Sequence, residues 1–72
     1  MRQYNTEHQS ISIQISVQNF KGETPLHLAS KHGFVSIVKL LLEYGASKSI
    51  KNNHGEIPLD LTQNYEIKRL FE

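Results

Sequence analysis

A block of eight residues occurs twice, and the spacing of its two copies limits the fold more than any other feature of the chain. Gly22-Glu23-Thr24-Pro25-Leu26-His27-Leu28-Ala29 returns as Gly55-Glu56-Ile57-Pro58-Leu59-Asp60-Leu61-Thr62, 33 positions later and identical at five of eight positions. A repeat of this length is one supersecondary unit that must stack on copies of itself to bury its apolar faces. The chemistry of the block explains what recurs. Gly22 and Gly55 allow the positive φ of a tight turn. Thr24 reads as a helix N-cap, because its hydroxyl can accept from an orphan N–H of the first turn. Pro25 then occupies the first helical position, where a missing N–H costs nothing. Leu26, Leu28 and Ala29 open a short apolar helix that Gly33 ends.

A second helix is expected over about Ser36 to Tyr44. Ile37, Val38, Leu40, Leu41 and Leu42 cover more than one of its faces, so the pattern predicts a helix clamped between neighbours on several sides. Gly45 supplies its left-handed stop. The unit is therefore turn, short helix, glycine loop, longer helix, glycine stop. Gly22 to Ala29, Gly33, the run Ile37-Val38-Lys39-Leu40-Leu41-Leu42 and the pair Gly45-Ala46 together closely resemble an ankyrin repeat over its whole length. The resemblance implies an all-α fold with β-hairpin connections, a short helical stack of the α-solenoid type.

The second copy departs from this pattern. Ile57 replaces the capping Thr and Asp60 replaces the His. Glu66-Ile67-Lys68-Arg69-Leu70-Phe71 matches Ser36 to Leu41 at an offset of 30, so three residues are missing, and the Gln63-Asn64-Tyr65 connection is the expected place. Lys68 in place of Val38 gives the polar outer face that a terminal repeat needs. Upstream, Ser12 to Asn19 aligns with Gly45 to Asn52. The expected division is a flexible or non-ankyrin lead-in over 1–11, a hairpin arm over 12–19, a full repeat over 20–52 and a shortened capping repeat over 53–72.

About three repeats are usually needed for stability, so the first helix pair is expected to leave its N-terminal face, at the Leu26 and Leu41 helices, open. Ile11, Ile13, Ile15 and Val17 alternate with polar residues at a strand period. Two readings stand: an ordinary hairpin arm, or a longer strand whose free edge pairs with a second copy or shields the open face.

Little in the chain points to catalysis. No nucleophile elbow or phosphate-cradling glycine loop is present, so neither an enzyme nor a small-molecule substrate or cofactor site is expected. His8, His27, His32 and His54 lack short ligand spacing, and no Cys joins them, so no metal site is expected. The resemblance gives His27 a structural hydrogen-bonding role near the turn. The formal net charge of +1 gives no support to nucleic-acid binding. The longest apolar run, Leu40 to Leu42, is far too short for a membrane span. An intracellular setting, cytoplasmic or nuclear, fits the absence of cysteine.

Recognition remains. The resemblance implies binding to a protein partner through hairpin tips and the exposed side of the first helix. Position by position, the candidates are Phe20, Lys21, Glu23, Lys31 and His32 in the first repeat and Asn53, His54 and Glu56 in the second. Glu23 and Glu56 are otherwise expected as solvated residues before each helix start. Phe20 either anchors a partner or folds under the hairpin against Ile13 or Ile15. Self-association through Ile11, Ile13, Ile15 and Val17 or through the open face is the alternative.

Overall fold

The computed structural model describes residues 17–72. Ile11, Ile13, Ile15, the lead-in over 1–11 and most of the hairpin arm lie outside the described residues. Helix α1 spans Pro25–His32 and α2 spans Val35–Glu43. A 3-10 turn, η1, follows at Pro58–Leu61, and α3 spans Tyr65–Leu70. The two pairs stack: α1 packs against α2 and η1, and α2 packs against α3.

Local chemistry places the first pair as the sequence dictates. Thr24 is extended, its hydroxyl accepts from the His27 N–H, and the His27 ring returns a bond to the Thr24 backbone, closing a reciprocal cap. At the other end the Gly33 N–H donates to the Ser30 carbonyl and the Phe34 N–H to the Ala29 carbonyl. The α2 terminus repeats this, with Gly45 N–H to Leu42 and Ala46 N–H to Leu41. Both ends are Schellman motifs with glycine in the left-handed conformation, so two orphan carbonyls are satisfied at each. Helix α2 begins one residue earlier and ends one residue earlier than the pattern suggests.

The second copy is shorter in a different place than expected. Leu61 to Tyr65 is no tighter a link than His32 to Val35; it is the first helix that shrinks, from eight residues in α1 to four in η1. Ile57 explains much of this. It has no oxygen to accept the N–H that Thr24 takes, so only half of the cap survives, with the Asp60 carboxylate accepting from the Ile57 N–H at 3.0 Å. Thr62 is extended, and Asn64 starts α3 by accepting from the Ile67 N–H at 3.1 Å. Among the described residues no strand forms. Each connection is a turn closed by two backbone bonds, Asn19 N–H to Glu23 and Gly22 N–H to Asn19 in the first, Asn52 N–H to Glu56 and Gly55 N–H to Asn52 in the second.

The core is small. Leu26, Ala29, Val38, Ala46 and Ile67 are buried, with Val35, Leu41, Leu42, Leu70 and Phe71 packed partly against them. Ile67 fills the centre from α3, which is how the second copy covers the first. Helix α2 is not clamped on several sides: Val38 is its one buried residue, while Ile37 and Leu40 are about half exposed, at 47% and 51%. Of the apolar residues of this helix pair, Leu28, Phe34, Ile37 and Leu40 are exposed, while Leu26 is fully buried.

Ser30 is also buried in α1, and its hydroxyl has no hydrogen-bond partner among the described residues. An unmet buried hydroxyl is destabilising, and serine is a poorer helix former than alanine. Ser30→Ala should stabilise the protein by about 1 kcal/mol, read as a higher midpoint in urea. A lower midpoint would show that the hydroxyl has a partner after all.

Candidate functional site

The two turns before α1 and η1 are built identically, bond for bond. In the first, the Asn19 side-chain oxygen accepts from the N–H groups of Lys21 and Glu23 at 2.9 and 2.8 Å. Its amide donates to the Glu23 carboxylate at 3.1 Å. In the second, the Asn52 oxygen accepts from His54 and Glu56, both at 2.9 Å, and its amide donates to the Glu56 carboxylate at 2.9 Å. An Asn side chain that mimics a turn of backbone in this way fixes the loop without a strand.

Both glutamates are drawn into their turns. Glu23 is buried and Glu56 half-buried, so neither is a solvated residue beside the cap. Their carboxylates are committed to the turn and are poor candidates for a partner contact. The Asn19 amide holds the Glu23 carboxyl below its usual range, against the opposing effect of burial, with Lys31 assisting at 3.9 Å. Because folding lowers this pKa, the stabilisation is present above the unfolded carboxylate value and fades as pH falls through the folded one. Glu23→Gln keeps an acceptor for Asn19 but removes the charge. It should lower the melting temperature modestly near neutral pH and reduce the further drop on acidification. An unchanged acid response would assign that drop to other carboxylates.

The turns are also tied to one another. The Asn53 N–H donates to the Lys21 carbonyl at 2.9 Å, and the Asn53 side-chain amide donates to the Phe20 carbonyl at 2.8 Å. The Gln18 amide donates to the Gly22 carbonyl at 2.7 Å and the Lys51 carbonyl at 3.2 Å. Below the tips, Thr24 N–H donates to His27 Nδ1 at 3.1 Å, which leaves the proton on Nε2; that N–H donates to the Glu56 carbonyl at 2.8 Å. His27 is fully buried and bridges the two repeats.

On this frame the structure brings Phe20, Lys21, Asn53 and His54 together on adjacent turns. Phe20 is fully exposed and does not fold beneath the turn. Lys21, Asn53 and His54 are exposed, although the Asn53 amide is engaged by Phe20. Lys31 and His32 are exposed at the end of α1, with Lys31 directed toward Glu23 and the His32 ring stacked on Phe34 at 5.7 Å. Val17 is half exposed. Asn19, Asn52 and Gln18 were not among the sequence candidates. The recurrence of Asn four residues before each Glu was the signal that could have found the first two. Among the described residues no group of three or more His, Asp or Glu is placed to hold a metal ion, and no helix is long and apolar enough to cross a membrane.

Comparison with known proteins agrees with this architecture. The family model for ankyrin repeats in many copies matches residues 8–61. Ankyrin repeat and SOCS box protein 11 of Danio rerio is 44% identical over 50 residues, covering 69% of this chain and 17% of that protein. A putative ankyrin repeat protein of Rickettsia bellii is 34% identical over 61 residues, 85% of this chain and 36% of the relative. The ankyrin repeat domain of Bcl-3 superposes with a TM-score of 0.78 at 24% identity, covering 94% of this chain and 32% of that one. The chain thus spans only a minor part of the length of these relatives. A repeat period of 33, the reciprocally capped first helix, the paired glycine stops and the family match lead to one conclusion: the chain belongs to the ankyrin-repeat family, whose repeats generally serve as protein–protein interaction modules.

Proposed function

We propose that the chain binds a protein partner through the row of turn tips and the exposed side of α1, with Phe20 as the anchor and Lys21, Lys31, His32, Asn53 and His54 around it. The observation that carries this reading is the pair of bonds from Asn53 to the carbonyls of Phe20 and Lys21. They hold a fully exposed aromatic on a turn that cannot move apart from its neighbour. A rigid tip loses little conformational entropy on docking, and aromatic residues are enriched where interfaces concentrate their binding energy. A cysteine-free chain needs no oxidising compartment, so an intracellular setting, cytoplasmic or nuclear, is part of the same proposal.

The test is capture from a cell lysate by the wild-type chain and by a Phe20→Ser, His54→Ala variant with the same helical circular dichroism. A specific protein held by the first and lost by the second is the expected result. Equal capture would remove the tips from the binding surface.

One observation favours a second reading. Ile37 and Leu40 lie three apart on α2 and leave an apolar stripe open to solvent. Self-association through that stripe, or through the Ile11 to Val17 segment, would cover it. It predicts a mass that rises with concentration and returns to monomer in Leu40→Lys or Ile13→Lys.

A further inference from the structure

We infer that the tip row takes an acidic segment of a protein, carrying an apolar side chain that packs on Phe20; this rests on the tip-surface reading above and names the chemistry of its partner. The net charge of +1 conceals a segregation of charge. The two connections, residues 17–22 and 47–55, hold Lys21, Lys48, Lys51 and His54 and no Asp or Glu. The acids that follow directly, Glu23 and Glu56, are turned inward onto Asn19 and Asn52. What the turns offer to solvent therefore has a single sign.

Lys48 is held back, since its ammonium donates to the Phe71 carbonyl at the end of α3. Lys21 and Lys51 are exposed, and among the described residues neither has an ion-pair partner. They sit on neighbouring turns in fixed register, because Asn53 bonds the Lys21 carbonyl and Gln18 bonds the Lys51 carbonyl. Phe20 stands next to Lys21. An exposed aromatic with a lysine on each of the two tied turns is complementary to carboxylates flanking an apolar residue. The apolar contact supplies most of the affinity; the lysines select the sign of charge and speed the encounter. Single-stranded nucleic acid is the poorer fit. Its binding uses several stacking aromatics along a basic groove, and these turns have one aromatic and no arginine.

The experiment is selection of peptides from a random library displayed against the intact chain, followed by titration of the selected peptides into isotope-labelled protein watched by amide NMR. The expected peptides carry Asp or Glu next to Leu or Phe. They shift the Lys21, Gly22 and Asn53 amides, and they weaken about tenfold in the Lys21→Glu, Lys51→Glu variant. Added salt should weaken them too. The variant's remaining amide spectrum shows that it is folded. Neutral or basic peptides bound at the tips would overturn the acidic class and leave the tip surface standing. Selected peptides that shift the Ile37 and Leu40 amides instead, or no selected peptides at all, would overturn both. Equal competition by a single-stranded oligonucleotide would overturn the assignment to protein.

Discussion

Gly22→Ala should cost about 2–5 kcal/mol of stability, against about 1–2 kcal/mol for the same change at Gly55. Both glycines have positive φ, 78° and 76°, so each substitution carries the strain of a left-handed L-residue, about 1–2 kcal/mol. The difference is what the new methyl group meets. At Gly22 it would lie 2.6 Å from Asn53 Oδ1, 2.9 Å from the Asn53 nitrogen and 3.2 Å from the Asn52 carbonyl carbon. The side-chain oxygen can swing away, but the backbone of the second turn cannot. Relief requires the two turns to separate, which breaks the bonds from Asn53 to Lys21 and Phe20. Overpacking of this kind costs about 1–3 kcal/mol more. At Gly55 nothing lies within 4 Å of the added carbon. A chain of 72 residues has only about 4–10 kcal/mol of stability to lose, at the usual value per residue. Urea unfolding of both variants checks the contrast. Equal losses would mean that the turns are not in close contact.

His27→Ala is the second large effect, about 3–5 kcal/mol. The ring is fully buried and satisfies two groups at once, the Thr24 N–H in its own turn and the Glu56 carbonyl in the next. Truncation leaves the Thr24 N–H unmet, takes from the Glu56 carbonyl the bond that crosses the repeats while the one from the Asn52 N–H remains, and opens a cavity. Asp60 is the internal control, because it occupies the matching position in the second copy. It is exposed and bonds only within its own turn, to Ile57, so Asp60→Ala should cost about 1 kcal/mol. If the two substitutions cost the same by thermal unfolding, His27 does not couple the repeats.

The parts of this structure that could be read from the sequence are those where one residue settles its own neighbourhood. Thr24 and Pro25 start α1, and Gly33 and Gly45 end α1 and α2, because cap chemistry acts over a single turn. The 33-residue period extends this to the stack. What could not be read depends on partners distant in sequence or on sums. The offset of 30 between the second helices puts the loss of three residues at the Gln63-Asn64-Tyr65 connection without saying which element shortens, and it is the helix that Ile57 could not cap that does. Glu23 and Glu56 looked like surface residues because their partner, an Asn four residues back, becomes a partner only once the turn has closed. The apolar run of α2 gave no sign of which side has a neighbour; Val38 has one, and Ile37 and Leu40 are left open. At the tip, the exposure of Phe20 is decided by the turn's shape, and its place beside Asn53 by a bond 33 residues long in sequence.

The two tips should move as one rigid surface, and the amide of Asn53 reports on whether they do. It donates across the turns to Lys21, outside any helix. If the tips are locked, its hydrogen exchange should require the same opening as the amides of Leu28 and Val38, with protection close to that of global unfolding. Exchange at the rate of an open loop, while those helix amides stay protected, would show that the tips move independently. Rigid presentation of Phe20, and the proposed function with it, would then be contradicted.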